Sequence, residues 1–285
     1  MLSVFVTIQY LSLAQELPPI KNFSTKDYLA ENQNWNISQA ENKFMYVANN
    51  KGLLEFNGAN WQLYSTPNET IMRSVKAFKN KVFTGFYMDF GYWVKNNVGV
   101  LEYTSIVKEK NIQLIEDEQI WEIVELDGWM IFKSLQRIYL YHLSTKSVKI
   151  IESEGRIEKI TKIDETLYFQ EINKGVFQLE NGVPKLISDD PILKKNILVG
   201  VFKKDGNLLF LTQEKGFYFI QDNKIKKWNI PANKDILTKK IYSGKRLRNN
   251  DFVLGTVSNG LYYVKNDGTL KYQINQSSGL GNNTV

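Results

Sequence analysis

The stretch K-G-L-L-E-F-N-G-A-N-W-Q-L-Y, Lys51 to Tyr64, decides how this chain folds. A glycine follows a polar residue. Alternating apolar residues cover Leu53 to Phe56, Asn57-Gly58 is a turn pair, and a second alternating run covers Asn60 to Tyr64. Period-two alternation on both sides of Asn-Gly is a strong short-range signal for a β-hairpin. The unit recurs as D-F-G-Y-W-V-K-N-N-V-G-V-L-E-Y (Asp89 to Tyr103) and N-K-G-V-F-Q-L-E-N-G-V-P-K-L-I (Asn173 to Ile187). It recurs again as E-K-G-F-Y-F-I-Q-D-N-K-I-K-K-W (Glu214 to Trp228) and S-N-G-L-Y-Y-V-K-N-D-G-T-L-K-Y (Ser258 to Tyr272). A degenerate copy, Q-R-I-Y-L-Y-H-L-S-T-K-S-V-K-I (Gln136 to Ile150), carries Arg137 where the others have Gly52, Gly91, Gly175, Gly216 and Gly260.

Two further alternating runs precede each copy, so the repeating unit holds four strands. In the first unit they are Trp35–Ala40, Phe44–Asn49, Leu53–Asn57 and Asn60–Ser65. A four-stranded repeat with a period of about 40 residues is the signature of a β-propeller blade. The fold read here is all-β: a propeller of four-stranded antiparallel blades, six present of an expected seven. The blades fall at about 35–69, 70–116, 117–155, 156–192, 193–236 and 237–276. No stretch has a convincing helical period, and no strand–helix–strand unit appears. Residues 15–34 are expected to supply a closing outer strand at Ile20 to Phe23 and a loop, and 277–285 the lead-in to a further blade. On that expectation the chain is a fragment.

Composition narrows the classes. There is no cysteine, which excludes disulfides and cysteine-based metal sites. The net charge of +6 lies in residues 151–285, since residues 1–150 carry 15 groups of each sign. The excess cations cluster in turns such as Lys194-Lys195, Lys226-Lys227 and Lys245-Arg246. They read as solvated turns and protected sheet edges, with no nucleic-acid motif beside them. The apolar run Leu2 to Leu13, followed by Ser12-Leu13-Ala14 and two prolines, reads as a signal peptide over 1–14. It is too short to span a bilayer, which takes about 20 residues. It also lacks the usual basic start.

Q-N-W-N-I (Gln33 to Ile37) with Y-V-A-N-N-K-G-L-L-E-F-N-G-A-N-W (Tyr46 to Trp61) resembles the first blade of bacterial two-component-regulator propeller sensors. F-T-G-F-Y-M-D-F-G-Y-W (Phe83 to Trp93) with G-V-L-E-Y-T-S-I (Gly99 to Ile106) resembles their second, and S-G-L-G-N-N-T-V a lead-in to another. The resemblance implies the extracytoplasmic, periplasmic sensor region of a regulator anchored in the inner membrane. It implies further blades, a triple-tyrosine β-sandwich and an output domain, either a histidine kinase or a LuxR-type DNA-binding domain. It also implies an oligosaccharide ligand and homodimers. The fragment itself would contact no nucleic acid and carry out no catalysis. A secreted propeller glycoside hydrolase or lyase, and a protein-binding scaffold, are the alternatives.

Chemistry-bearing residues are few. His142 is the single histidine, so neither a histidine–cysteine metal site nor a serine triad can be assembled, and no cofactor is expected. Glu116-Asp117-Glu118 and Asp189-Asp190 could serve glycoside hydrolysis, but they read as a solvated loop and a turn before Pro191. The loops before each third strand gather on one propeller face and are the expected ligand-binding set. They offer Asn49, Asn50, Tyr87, Asp89, Glu171, Asn173, Glu214, Ser258 and Asn259. Aromatic rings beside amides and carboxylates suit a sugar, while Asn and Asp also favour turns for their own sake.

Overall fold

The computed structural model describes residues 17–180, 182–222 and 224–285. They form six antiparallel sheets of four strands, each sheet ordered as the chain runs. Blade 1 consists of Asn34–Gln39, Met45–Asn49, Gly52–Phe56 and Trp61–Tyr64, close to the runs read from sequence. The first strands of the blades are Asn34–Gln39, Met72–Phe78, Glu122–Leu126, Ile157–Ile163, Leu198–Lys204 and Ile241–Arg246. Consecutive first strands contact each other and form the inner wall of the propeller.

The core lies between blades, because each sheet buries both faces. Tyr46, Ala48 and Leu53 of blade 1 pack on Met72, Val75 and Phe86 of blade 2. Phe83 and Phe90 of blade 2 pack on Met130, Phe132 and Tyr139 of blade 3, with the Phe90 and Phe132 rings 4.4 Å apart. Burying one such side chain stabilises by about 1.5–3 kcal/mol.

The repeated glycine owes its place chiefly to a close approach. A Cβ on Gly52 would overlap the carbonyl oxygen of Tyr64, and one on Gly91 that of Thr104, each on the neighbouring fourth strand. Gly175 and Gly260 meet Ser188 and Ile274 in the same way. Gly52 also sits at φ 139°, whereas Gly91 has no positive φ, so crowding is the cause these four share; Gly216 differs, with φ 83° and only the Leu237 and Asn233 side chains nearby. Blade 3 escapes the constraint. Arg137 lies opposite Glu152 in regular register and pairs with it at 2.8 Å.

Two expectations need correction. Ile20 to Phe23 forms no strand; residues 17–24 have no regular structure and lead into a short helix, Thr25–Tyr28. The segment is held by side chains. Phe23 lies edge-on to Phe56 and Trp61, and Tyr28 covers Val47 and Leu54, so it caps a face of blade 1. The Asn22 side chain donates to the Gly279 carbonyl (2.8 Å) and accepts from the Gly281 amide (3.1 Å), joining this segment to 277–285. The fourth strand of blade 2, which the alternation in the sequence places at Val100–Ile106, spans Leu101–Ser105. There the Ser105 Oγ accepts from the Lys108 amide and caps the helix Ile106–Glu109. The proposed signal segment 1–14 lies outside the described residues.

Candidate functional site

Five of the six inner strands carry a β-bulge near their start, where the ladder register shifts. In blades 1, 2, 5 and 6 the residue left out of the ladder is Trp35, Arg73, Val199 and Tyr242; in blade 4 the shift takes in Glu158 and Lys159. All of these line one cavity of about 390 Å³ at the centre of the propeller. A bulge re-aims a side chain, and here it turns the extra residue toward the axis. In blade 3 the register is regular from Glu122 to Leu126. The Trp121 amide, just before that strand, donates to the Lys133 carbonyl at 2.8 Å, although Lys133 is the partner of Glu122.

Three successive blades meet at Arg73. Its guanidinium lies 3.9 Å from the Trp35 ring centre and 4.7 Å from that of Trp121. The two indoles are edge to face, 5.9 Å apart. Cation–π contacts of this kind contribute about 0.5–2 kcal/mol. Trp35 Nε1 donates to Asn50 Oδ1 (2.7 Å), and Arg73 Nε donates to Gln119 Oε1 (2.8 Å). Arg73 Nη1 and Trp121 Nε1 are buried and have no hydrogen-bond partner among the described residues. Burial lowers the affinity of Arg73 for its proton.

The wall beyond is a ladder of charges. Glu122 pairs with Lys159 and also accepts from the Ile160 amide at 2.9 Å. Burial alone would raise the Glu122 carboxyl; Lys159 and Lys133 outweigh it and hold that carboxyl below its usual range. Arg156 pairs with Glu158 at 2.7 Å. Lys133, only 2% exposed, donates to the Glu158 carbonyl at 3.1 Å, and burial pushes its ammonium down.

A second cavity of about 360 Å³ opens on the rim beside blade 3, sharing Trp121, Leu135 and Arg156 with the first. It is lined by the link Ile115 to Gln119, the hairpin Ser134 to Gln136, and the link Glu154 to Arg156. The sequence reading of Glu116-Asp117-Glu118 as a solvated loop holds for the first two residues but not for Glu118. Its Oε2 accepts from Tyr139 Oη (2.7 Å) and the Ile115 amide (3.0 Å), while Oε1 is buried without a partner.

The residues singled out from sequence sit on the turns before the third strands or at the strand ends beside them, and three of them, Asn49, Asp89 and Glu171, are buried. Asn49 is fully buried and binds the Glu31 and Gln33 carbonyls, Asn34 Oδ1 and the Lys51 amide. Asn50 bonds Trp35 and Glu31. Tyr87 donates to Asp117 at 2.5 Å. Asp89 accepts from Ser105 Oγ at 2.6 Å, and Glu171 holds the Gly155 amide and Lys174. Asn173 takes a positive φ in its turn, and the Ser258 hydroxyl bonds Asn259. Glu214 is exposed. Of this set, Asn50 reaches the Arg73 cluster through Trp35, and Tyr87 pairs its backbone with Gln119, the acceptor of Arg73 Nε. Trp35, Arg73, Trp121 and Lys133 were not singled out from sequence. The one signal available was position: Trp35, Arg73, Val199 and Tyr242 each stand just before a small residue, Asn36, Ser74, Gly200 or Ser243.

No family model and no curated protein matches the sequence. Solved structures do share the fold. The extracellular domain of the putative hybrid two component system BT3049 from B. thetaiotaomicron superposes with a TM-score of 0.70 at 16% identity, over 93% of this chain and 38% of that one. That of the putative one component system BT4673 from the same organism gives 0.67 at 17%, over 88% and 35%. The WD40 propeller domain of Doa1 gives 0.63 at 10%, over 85% and 82%. The chain thus spans little more than a third of either B. thetaiotaomicron structure.

Proposed function

We propose that this chain is a ligand-sensing propeller module of a bacterial signal-transduction regulator, placed outside the cytoplasm, responsive to glycans and not itself catalytic. The observation that carries the reading is the central cavity, into which bulges on the inner strands deliver aromatic and charged side chains. Its carboxylates support binding over hydrolysis. A glycosidase needs one carboxyl kept protonated near neutral pH. Glu122 and Glu158 are instead each paired with a cation, and Glu122 is held ionised. In this reading the partners are an oligosaccharide, the remaining blades and output domain of the full-length regulator, and a second copy of that regulator. The resemblance and the fold of the two-component extracellular domains support it.

The test is a thermal-shift screen of the purified chain against oligosaccharides released from several polysaccharides, with product analysis by chromatography. Stabilisation without cleavage is expected. Cleavage abolished by Glu118→Gln would establish the enzyme reading instead.

A further inference from the structure

We propose that the central cavity selects a carboxylate-bearing sugar, a uronic acid, and that Arg73 is the residue that holds its carboxylate. This rests on the reading of the cavity as a ligand site and deepens it by fixing the charge class of the ligand.

Three observations converge. The first is charge. The cavity wall carries Arg73, Lys133, Arg156 and Lys159 against Glu122 and Glu158, and the two carboxylates are taken by Lys159 and Arg156. Among the described residues, Arg73 and Lys133 have no carboxylate within ion-pair distance. Lys133 is buried and Arg73 half-buried, and cations drawn out of water without a direct ion pair gain from an anionic ligand.

The second is geometry. A guanidinium presents a planar fork matched to a carboxylate. On Arg73, Nε is engaged by Gln119 and Nη1 is left without a partner. The Trp121 Nε1 donor, also unpartnered, belongs to an indole packed against that same guanidinium. Each of these N–H groups lacks an acceptor, and an acceptor-only anion supplies one.

The third is position and size. Arg73 is held by indoles from the blades on either side, so its place is fixed before a ligand arrives, which favours binding. The volume of about 390 Å³ lies within the range of small-molecule sites, and Tyr242 brings an aromatic ring and hydroxyl to the same cavity.

The experiment is isothermal titration calorimetry on the full chain with paired probes: D-galacturonate against D-galactose, and D-glucuronate against D-glucose. Within each pair only the group on C5 changes, from carboxylate to hydroxymethyl. Sulfate is the inorganic control. We expect a uronate to bind at least tenfold more tightly than its neutral partner, to lose affinity as salt is raised, and to lose at least tenfold in Arg73→Gln. Arg73→Lys, which keeps the charge and loses the fork, should fall between. Melting curves establish that each variant is folded; if Arg73→Gln is not, Lys133→Met serves in its place and should also weaken the uronate. Neutral sugars binding as well as the acids, with Arg73→Gln unchanged, would overturn the charge class and leave the sensor reading standing. Sulfate binding as tightly as the uronates would overturn the assignment to a carboxylate. Silence from every probe would overturn the proposal and remove its support for the sensor reading.

Discussion

Blade 1 keeps the repeat most faithfully and blade 3 departs from it most, and they differ in what their loops leave open. In blade 1 the glycine is present, the inner strand is bulged, and the Asn49–Asn50 turn is bonded into the preceding segment. In blade 3 the glycine is Arg137, the inner-strand ladder is regular from Glu122 on, and the Ser134–Arg137 hairpin closes through a 2.9 Å backbone bond. Its residues line both cavities, and it holds two of the unpartnered buried groups, Glu118 Oε1 and Trp121 Nε1. In a fold built by repetition, what every blade shares is held by packing. A site is therefore more readily found where one blade breaks the pattern.

The largest effect should come from putting a side chain where blade 1 cannot take one. Gly52→Val is expected to cost roughly 3 kcal/mol, since the Cβ meets the backbone carbonyl of Tyr64 rather than a mobile side chain. The reciprocal Arg137→Gly should cost about 1 kcal/mol or less, the worth of a partly exposed ion pair with Glu152. Urea denaturation of both variants checks the contrast; equal losses would mean that the glycine position is a turn preference shared by all blades.

Lys133→Met comes next. It removes a buried cation that makes no direct ion pair but helps hold Glu122 ionised, so stability should change by no more than roughly 1 kcal/mol while uronate binding weakens. The sign with pH follows from the direction of the shift. Burial holds the Lys133 ammonium below its usual 10.5, so the wild type gains stability as pH rises through the folded value toward 10.5. The Met variant should lack that gain in melting curves taken across alkaline pH.

The smallest effect tests a residue chosen from sequence. Asp89, in the blade 2 counterpart of the blade 1 turn, is buried, and burial raises its carboxyl above 3.8 despite the Ser105 hydrogen bond. The stability that its protonation adds is full below 3.8 and is lost as pH rises through the folded value. Asp89→Asn should flatten that acid-side gain by under about 1 kcal/mol and leave uronate affinity unchanged. A loss of affinity would return Asp89 to the ligand site.

The propeller was legible because its signals are local and repeated. Alternation, Asn-Gly turns and a glycine every 40 residues or so each point to the same blade. Even the odd blade was visible, through Arg137. The Ile20–Phe23 segment misled because four residues with an apolar one at each end fit a strand or a side-chain anchor equally well, and Phe23 serves as the anchor on Trp61. The Arg73 cluster was not legible. Trp35, Arg73 and Trp121 lie far apart in sequence, and each looks like an ordinary strand residue until the fold brings it to the axis, at a bulge for Trp35 and Arg73. Asn49 and Glu171 drew notice as polar loop residues, but residue type does not reveal whether an amide or carboxylate faces solvent or its own backbone.

The most direct test of the account is hydrogen–deuterium exchange on the full chain with and without digalacturonate. Protection is predicted in residues 115–122, 133–137 and the start of the Met72–Phe78 strand, with little change at 49–52, 171–175 and 258–260. Protection confined to those three turns, with the residues around Arg73 and Trp121 unaffected, would contradict it.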